Sequence, residues 1–132
     1  MKNKKTDGAI ERLINQGVNI LDPKKIDIRG ALKCGINVKI DINVIIQGTV
    51  ILGDNVQIDS NCILQDCVVG SNSKIQANSI IETAKVGRSC LVGPYARIRP
   101  KTIVKDHVKI GNFVEVKESL IEDGCKINHL SY

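Results

Sequence analysis

An aliphatic residue returns every six positions along most of this chain, with occasional steps of five. From Ile28 the steps land on Cys34, Ile40, Ile46, Leu52, Ile58, Leu64, Val69, Ile75, Ile81, Val86, Val92, Ile98, Val104, Ile110, Val116, Ile121 and Ile127, and all but Cys34 are Ile, Val or Leu. A second column stands two residues earlier: Val38, Val44, Val50, Val56, Cys62, Cys67, Ser73, Ser79, Ala84, Cys90, Ala96, Thr102, Val108, Val114, Ser119 and Cys125, each small or β-branched. Strand side chains alternate, so both columns face the same way. One such repeat cannot bury its apolar face alone, and stacking the repeats buries it continuously. The expected fold is all-β, a parallel β-helix of hexapeptide repeats.

Three hexads make one triangular coil, so residues three rungs apart stack about 4.8 Å from each other. The short steps start at Leu64, Ile81 and Val116. All three belong to one side, here called side one, with rungs Ile28, Ile46, Leu64, Ile81, Ile98 and Val116. Nothing in the period itself requires the short steps to fall together, so their grouping supports three sides. The repeats then build about six coils.

Composition agrees. Aromatic residues are 2% of the chain, with no Trp, one Phe and two Tyr. A narrow β-helix packs Ile and Val where a globule of similar size uses aromatics. The net charge is +5, but the basic residues are scattered and no aromatics interleave with them as a surface for stacking bases. No nucleic-acid partner is expected. No membrane partner is expected either, because the start is charged and lacks a long apolar run. The five Cys all fall on inward columns without zinc-type CxxC spacing, as small buried thiols in a reducing compartment would. A cytoplasmic location is the expectation.

Residues 1–6 read as disordered and 7–16 as a short helix. Thr6 or Asp7 would cap that helix, Ile10, Leu13 and Ile14 would share its apolar face, and Gly17 would end it. Asp22-Pro23 marks a turn. This divides the chain into 1–25, a start with linker helix and turn, and 26–132, the β-helix. The pattern stops at Ser131-Tyr132 without a capping helix or polar rung, which reads as a chain cut short of its natural end.

Residues flanking a rung point outward. Arg97 and Arg99 flank Ile98; one coil later Glu115 and Lys117 flank Val116. The register lays Glu115 over Arg97 and Lys117 over Arg99. Tyr132 takes the next place in the Arg97 column. His129 follows Ile127 at the corner into side one, with Asn112 one coil behind. Stacked Arg99 and Lys117 repel unless an anion lies between them, and phosphate suits Arg's bidentate grip. A His beside a carboxylate can serve as a general base. The plainer alternative is a surface ion pair, Arg97 with Glu115, on a solvated face.

The segments GPYARIRP (93–100), KIGNFVEVKES (109–119) and KINHLSY (126–132) carry a family resemblance. They resemble the acetyltransferase domain of the bacterial bifunctional enzyme that makes UDP-N-acetylglucosamine, an N-acetylglucosamine-1-phosphate uridylyltransferase joined to a glucosamine-1-phosphate acetyltransferase. Residues 17–54 resemble that enzyme's passage from linker helix into β-helix. The resemblance implies a left-handed β-helix and a homotrimer with sites between subunits. It implies acetyl-CoA and glucosamine 1-phosphate as substrates. His129 then takes a proton from the sugar amine, Glu115 is the acid near it, and Arg99, Lys117 and Tyr132 hold the sugar phosphate and hydroxyls. The uridylyltransferase domain, which alone would use Mg2+, is represented only by its connecting helix. The coils that bind acetyl-CoA are expected beyond Tyr132, so the piece is expected to be inactive alone.

Three rivals remain. A zinc lyase of the carbonic anhydrase type needs three His ligands, whereas this chain has His107 and His129. A non-enzymatic trimerisation scaffold predicts no phosphate preference at Arg99 and Lys117. An acetyltransferase acting on another amino sugar is the nearest rival, because substrate choice depends partly on coils expected beyond Tyr132.

Overall fold

A computed structural model describes the backbone of residues 4–128 and the side chains of residues 8–128. Parallel strands stack into a three-sided solenoid. Side one is the column Ile28, Ile46, Leu64, Ile81, Ile98, Val116. Side two is Cys34, Leu52, Val69, Val86, Val104, Ile121. Side three is a seven-stranded sheet in which Ile40, Ile58, Ile75, Val92, Ile110 and Ile127 align. These are the columns the hexads predict. The first short step appears as a register shift between Gln47 and Val50 against Gln65 and Cys67.

Side three starts earlier than expected. Asn19–Ile20 pairs with Lys39–Ile40, and Ile20 is buried beneath Ile40. Sides one and two form a single nine-stranded sheet because Ile26–Cys34, Val44–Leu52 and Ile63–Val69 run unbroken through their shared corner. In later coils that strand divides, as into Ile80–Glu82 and Ala84–Val86.

The core is the stacked rungs and the column two residues before them. Ile40, Ile46, Leu64, Ile75, Ile81 and Ile98 are fully buried. Ser73 fits this interior because its hydroxyl donates to the Gly87 carbonyl at 2.7 Å and accepts from Cys90 N at 2.9 Å. Coils approach closely enough to exclude side chains at some outward positions. A Cβ on Gly70 would lie 2.6 Å from the Gly87 carbonyl carbon and oxygen, so only glycine fits there.

The helix spans Lys4–Asn15, so it begins before the expected 7–16, includes part of the stretch read as disordered, and places Thr6 and Asp7 inside it rather than at its cap. An acidic residue is as favourable in a first turn as at a cap, because both sit at the positive end of the helix dipole. Its end follows the expectation. Gly17 takes φ +98°, Val18 N donates to Leu13 O at 3.0 Å and Gly17 N to Ile14 O at 3.0 Å, the paired bonds of a Schellman cap. Ile10 and Leu13 join the core against the first coil, but Ile14 is exposed. Asp22 caps a short 3-10 turn, Pro23–Lys25, by accepting from Lys24 N at 3.0 Å.

Most corners hold a residue in the left-handed region. In the early coils these are largely asparagines, including Asn37, Asn43, Asn55, Asn61, Asn72 and Asn78. Asn37 donates to Asn55 at 2.8 Å and Asn55 to Asn72 at 3.0 Å. Asparagine tolerates this conformation better than most residues. In later coils the same positions carry Ser89, Tyr95, His107 and Phe113, while the third corner carries Gly48, Asp66, Thr83, Lys101 and Glu118.

The cysteines divide by position. Cys62, Cys67 and Cys90 are buried, Cys34 is half-buried and Cys125 is exposed. The expectation that all five face inward fails at Cys125, as the inward expectation does for Ser119, because an inward column is covered only where another coil stands on it. Burial pushes the Cys34 and Cys62 thiols up to about 11 and Cys67 to about 12, so they pack as neutral thiols. The sign for stability follows. Above pH 9 the unfolded thiol releases its proton while the buried one keeps it, so the unfolded state binds fewer protons and stability falls with rising pH. Each such thiol contributes a slope of up to about 1.4 kcal/mol per pH unit, lost between about pH 9 and the folded value. Urea midpoints at pH 8 and pH 10.5 should converge for Cys67→Val relative to the parent; an unchanged difference contradicts this.

Candidate functional site

Arg97–Ile98 and Glu115–Val116 are neighbouring strands of side one, with Arg97 opposite Glu115 and Ile98 opposite Val116. The buried rungs Ile98 and Val116 turn their flanking charges outward, as expected. The ion pairs differ from the expected Arg97–Glu115 pair. Arg97 binds Glu82 of the preceding coil, Nη2 to Oε1 at 3.1 Å and Nε to the same oxygen at 3.2 Å. Glu115 meets Arg99 instead, at 3.5 Å from Nη1 to Oε2. Both pairs run diagonally across the strands. An arginine reaches further than one strand spacing, so the Cα register alone does not choose its partner.

Glu82 is the residue that sequence reasoning missed. Its signal was present: it follows rung Ile81, so it stands one coil before Arg99 and diagonally from Arg97. With Arg97 occupied by Glu82, Arg99 keeps a single long contact to Glu115. Its Nε is buried and has no partner among the described residues. A buried N–H without an acceptor costs about 1–3 kcal/mol, so this donor is poised for a ligand oxygen. Lys117 follows Val116 in the same outward column and makes no ion pair among the described residues. Three cations and two carboxylates leave this patch with positive charge to spare.

The structure thus brings together Arg99, Glu115 and Lys117. His129 and Tyr132 lie outside the described residues. Asn112, on the corner entering side one, has a buried Oδ1 without a partner. His107 is an exposed corner residue at φ +56°. Among the described residues no three His, Cys, Asp or Glu side chains converge as a metal site, and no helix is long and apolar enough to cross a membrane.

Stacked three-rung coils with a cationic cluster on one outer face define a parallel hexapeptide-repeat β-solenoid. The chain belongs to the family of the GMPPB C-terminal domain, whose model matches residues 28–129. It is similar to the bifunctional protein GlmU of Nitrosospira multiformis, 54% identical over 121 residues, covering 92% of this chain and 26% of that protein. It is also similar to GlmU of Dichelobacter nodosus, 48% identical over 123 residues, covering 93% of this chain and 26% of that protein. The chain therefore spans about a quarter of the length of these relatives. Among solved structures it resembles the acetyltransferase domain of PglB from Neisseria gonorrhoeae, with TM-score 0.66, 19% identity, and coverage of 93% of this chain and 64% of that one. At that identity the likeness is one of fold. The family drawn from the three late sequence motifs is the one these relatives represent.

Proposed function

We propose that this chain forms the amino-sugar phosphate side of an acetyltransferase site that moves acetyl from acetyl-CoA to glucosamine 1-phosphate, giving N-acetylglucosamine 1-phosphate for UDP-N-acetylglucosamine synthesis. The observation that carries this reading is the buried Arg99 Nε, which has no partner among the described residues, with Lys117 in the same column. Two cations on one strand face suit a phosphate monoester, and the free N–H supplies a directed hydrogen bond. Glu115 steadies Arg99 from the next coil. In this reading His129 accepts the proton that the sugar amine sheds as its nitrogen bonds the acetyl carbon and the thiolate leaves. Tyr132 reaches the sugar hydroxyls.

The assembly in this reading is a homotrimer. Ile51 and Val68, and beyond Lys85 in the same column Ile103 and Leu120, are exposed apolar residues on side two, the kind of surface that association covers. Free thiols at Cys34, Cys62, Cys67, Cys90 and Cys125 suit the cytoplasm.

Titration of the chain with glucosamine 1-phosphate at constant ionic strength tests the proposal. Binding at least tenfold tighter than inorganic phosphate is expected. Equal affinities favour the scaffold reading, and tighter binding of a different amino-sugar phosphate favours a related acetyltransferase.

A further inference from the structure

Side three carries an open recess. A pocket of about 630 Å³ lies across its later coils, where Lys109, Lys126, Gln76 and Asn112 line it together with Gly93, Gly111 and the apolar Leu91 and Ile110. Lys109 and Lys126 are direct register partners on adjacent strands, so their Cα atoms are about 4.8 Å apart. Neither ammonium has a carboxylate partner among the described residues.

The same two columns look different in earlier coils. The column before the rungs runs Lys39, Gln57, Lys74, Leu91, Lys109 and Lys126. The column after them carries carboxylates only at Asp41 and Asp59, which Lys74 reaches at 3.9 Å, and then runs Gln76, Gly93 and Gly111. Compensating negative charge therefore stops where the pocket opens. No Asp or Glu among the described residues lines the pocket. Two adjacent, uncompensated ammonium groups beside a recess that Gly93 and Gly111 help to line attract an anion. Asn112 adds a requirement. Its Oδ1 is buried without a partner among the described residues, and it lines this pocket, so it asks for a donor that bare phosphate in its fully ionised form does not supply.

We infer that this pocket is a second anion site, for a phosphate group carried on an organic moiety that bears a hydroxyl or amide N–H. The phosphate sits between Lys109 and Lys126, and the donor reaches Asn112 Oδ1. The site is separate from Arg99 and Lys117 and does not depend on the activity proposed for them. Two sources share this chemistry: a free sugar phosphate and the phosphates of a coenzyme.

The experiment uses inorganic pyrophosphate as probe, at constant ionic strength, on the full chain carrying Arg99→Ala and Lys117→Ala. Saturable binding should persist in that background. Adding Lys109→Ala or Lys126→Ala should weaken it at least tenfold each, while Lys33→Ala, an exposed lysine on side two, should change it less than twofold. Displacement of pyrophosphate by coenzyme A assigns the coenzyme source, and displacement by glucosamine 1-phosphate assigns the sugar phosphate; either supports the inference. Non-saturable binding, an equal effect of Lys33→Ala, or displacement by neither organic phosphate overturns it. Failure of glucosamine 1-phosphate to bind the unaltered side one, by contrast, would count only against the proposed function.

Discussion

Arg99→Ala is expected to weaken glucosamine 1-phosphate binding by between ten- and a hundredfold. The guanidinium combines a charge with a buried Nε–H that has no partner among the described residues, and a hydrogen bond to a charged group contributes about 1.5–3 kcal/mol, which is this range in affinity. Arg99→Lys should recover only part of the loss, because an ammonium keeps the charge but lacks the planar fork. Arg97→Ala should matter far less, since Arg97 is already engaged by Glu82 at 3.1 Å. Calorimetric titration of the three variants decides the matter. A larger loss from Arg97→Ala than from Arg99→Ala would reverse the roles given to the two diagonals. An effect of Arg99→Ala below threefold would remove Arg99 from the phosphate site.

Leu64→Ala should destabilise the solenoid by about 2–5 kcal/mol, the range for emptying a fully buried leucine site. Leu64 is fully buried, with Ile46 and Ile81 as its register partners on the two adjacent coils. Those coils are fixed by backbone bonds such as Ile45 N to Cys62 O at 3.0 Å and Ile63 N to Ser79 O at 3.0 Å. The cavity therefore has little freedom to collapse. Ile127→Ala removes a similar volume from a rung that is only half-buried, so its cost should be less than half as large. Urea unfolding of both variants provides the comparison, and equal costs would show that coil neighbours do not set the strength of a rung.

The columns are legible in the sequence because backbone geometry alone enforces them. A period of six puts Ile98 over Ile81 and under Val116 whatever the outward residues are. Ion pairing is not legible in the same way. Arg97 and Glu115 are register partners, yet each finds its carboxylate or guanidinium on the diagonal, because side-chain length and rotamer choose among neighbours that Cα spacing leaves equivalent. Cys125 shows a different gap: its column is inward, but only a covering coil makes an inward residue buried. The start of the helix departs from expectation for a third reason, since an acidic residue such as Asp7 suits a first turn as well as a cap. The corner asparagines do announce the left-handed positions, in the recurrence of Asn at 37, 43, 55, 61, 72 and 78.

Those corners have an energetic consequence. A solenoid behaves as a stack of units, each stabilised by itself and its neighbours. Early coils turn on asparagines, some tied into a ladder of amide bonds. At the same corners later coils turn on Tyr95, His107 and Phe113, residues for which a left-handed backbone costs roughly 1–2 kcal/mol. Backbone strain at these two corner columns is accordingly lower in the asparagine-cornered coils than in those that hold Arg99, Glu115 and Lys117.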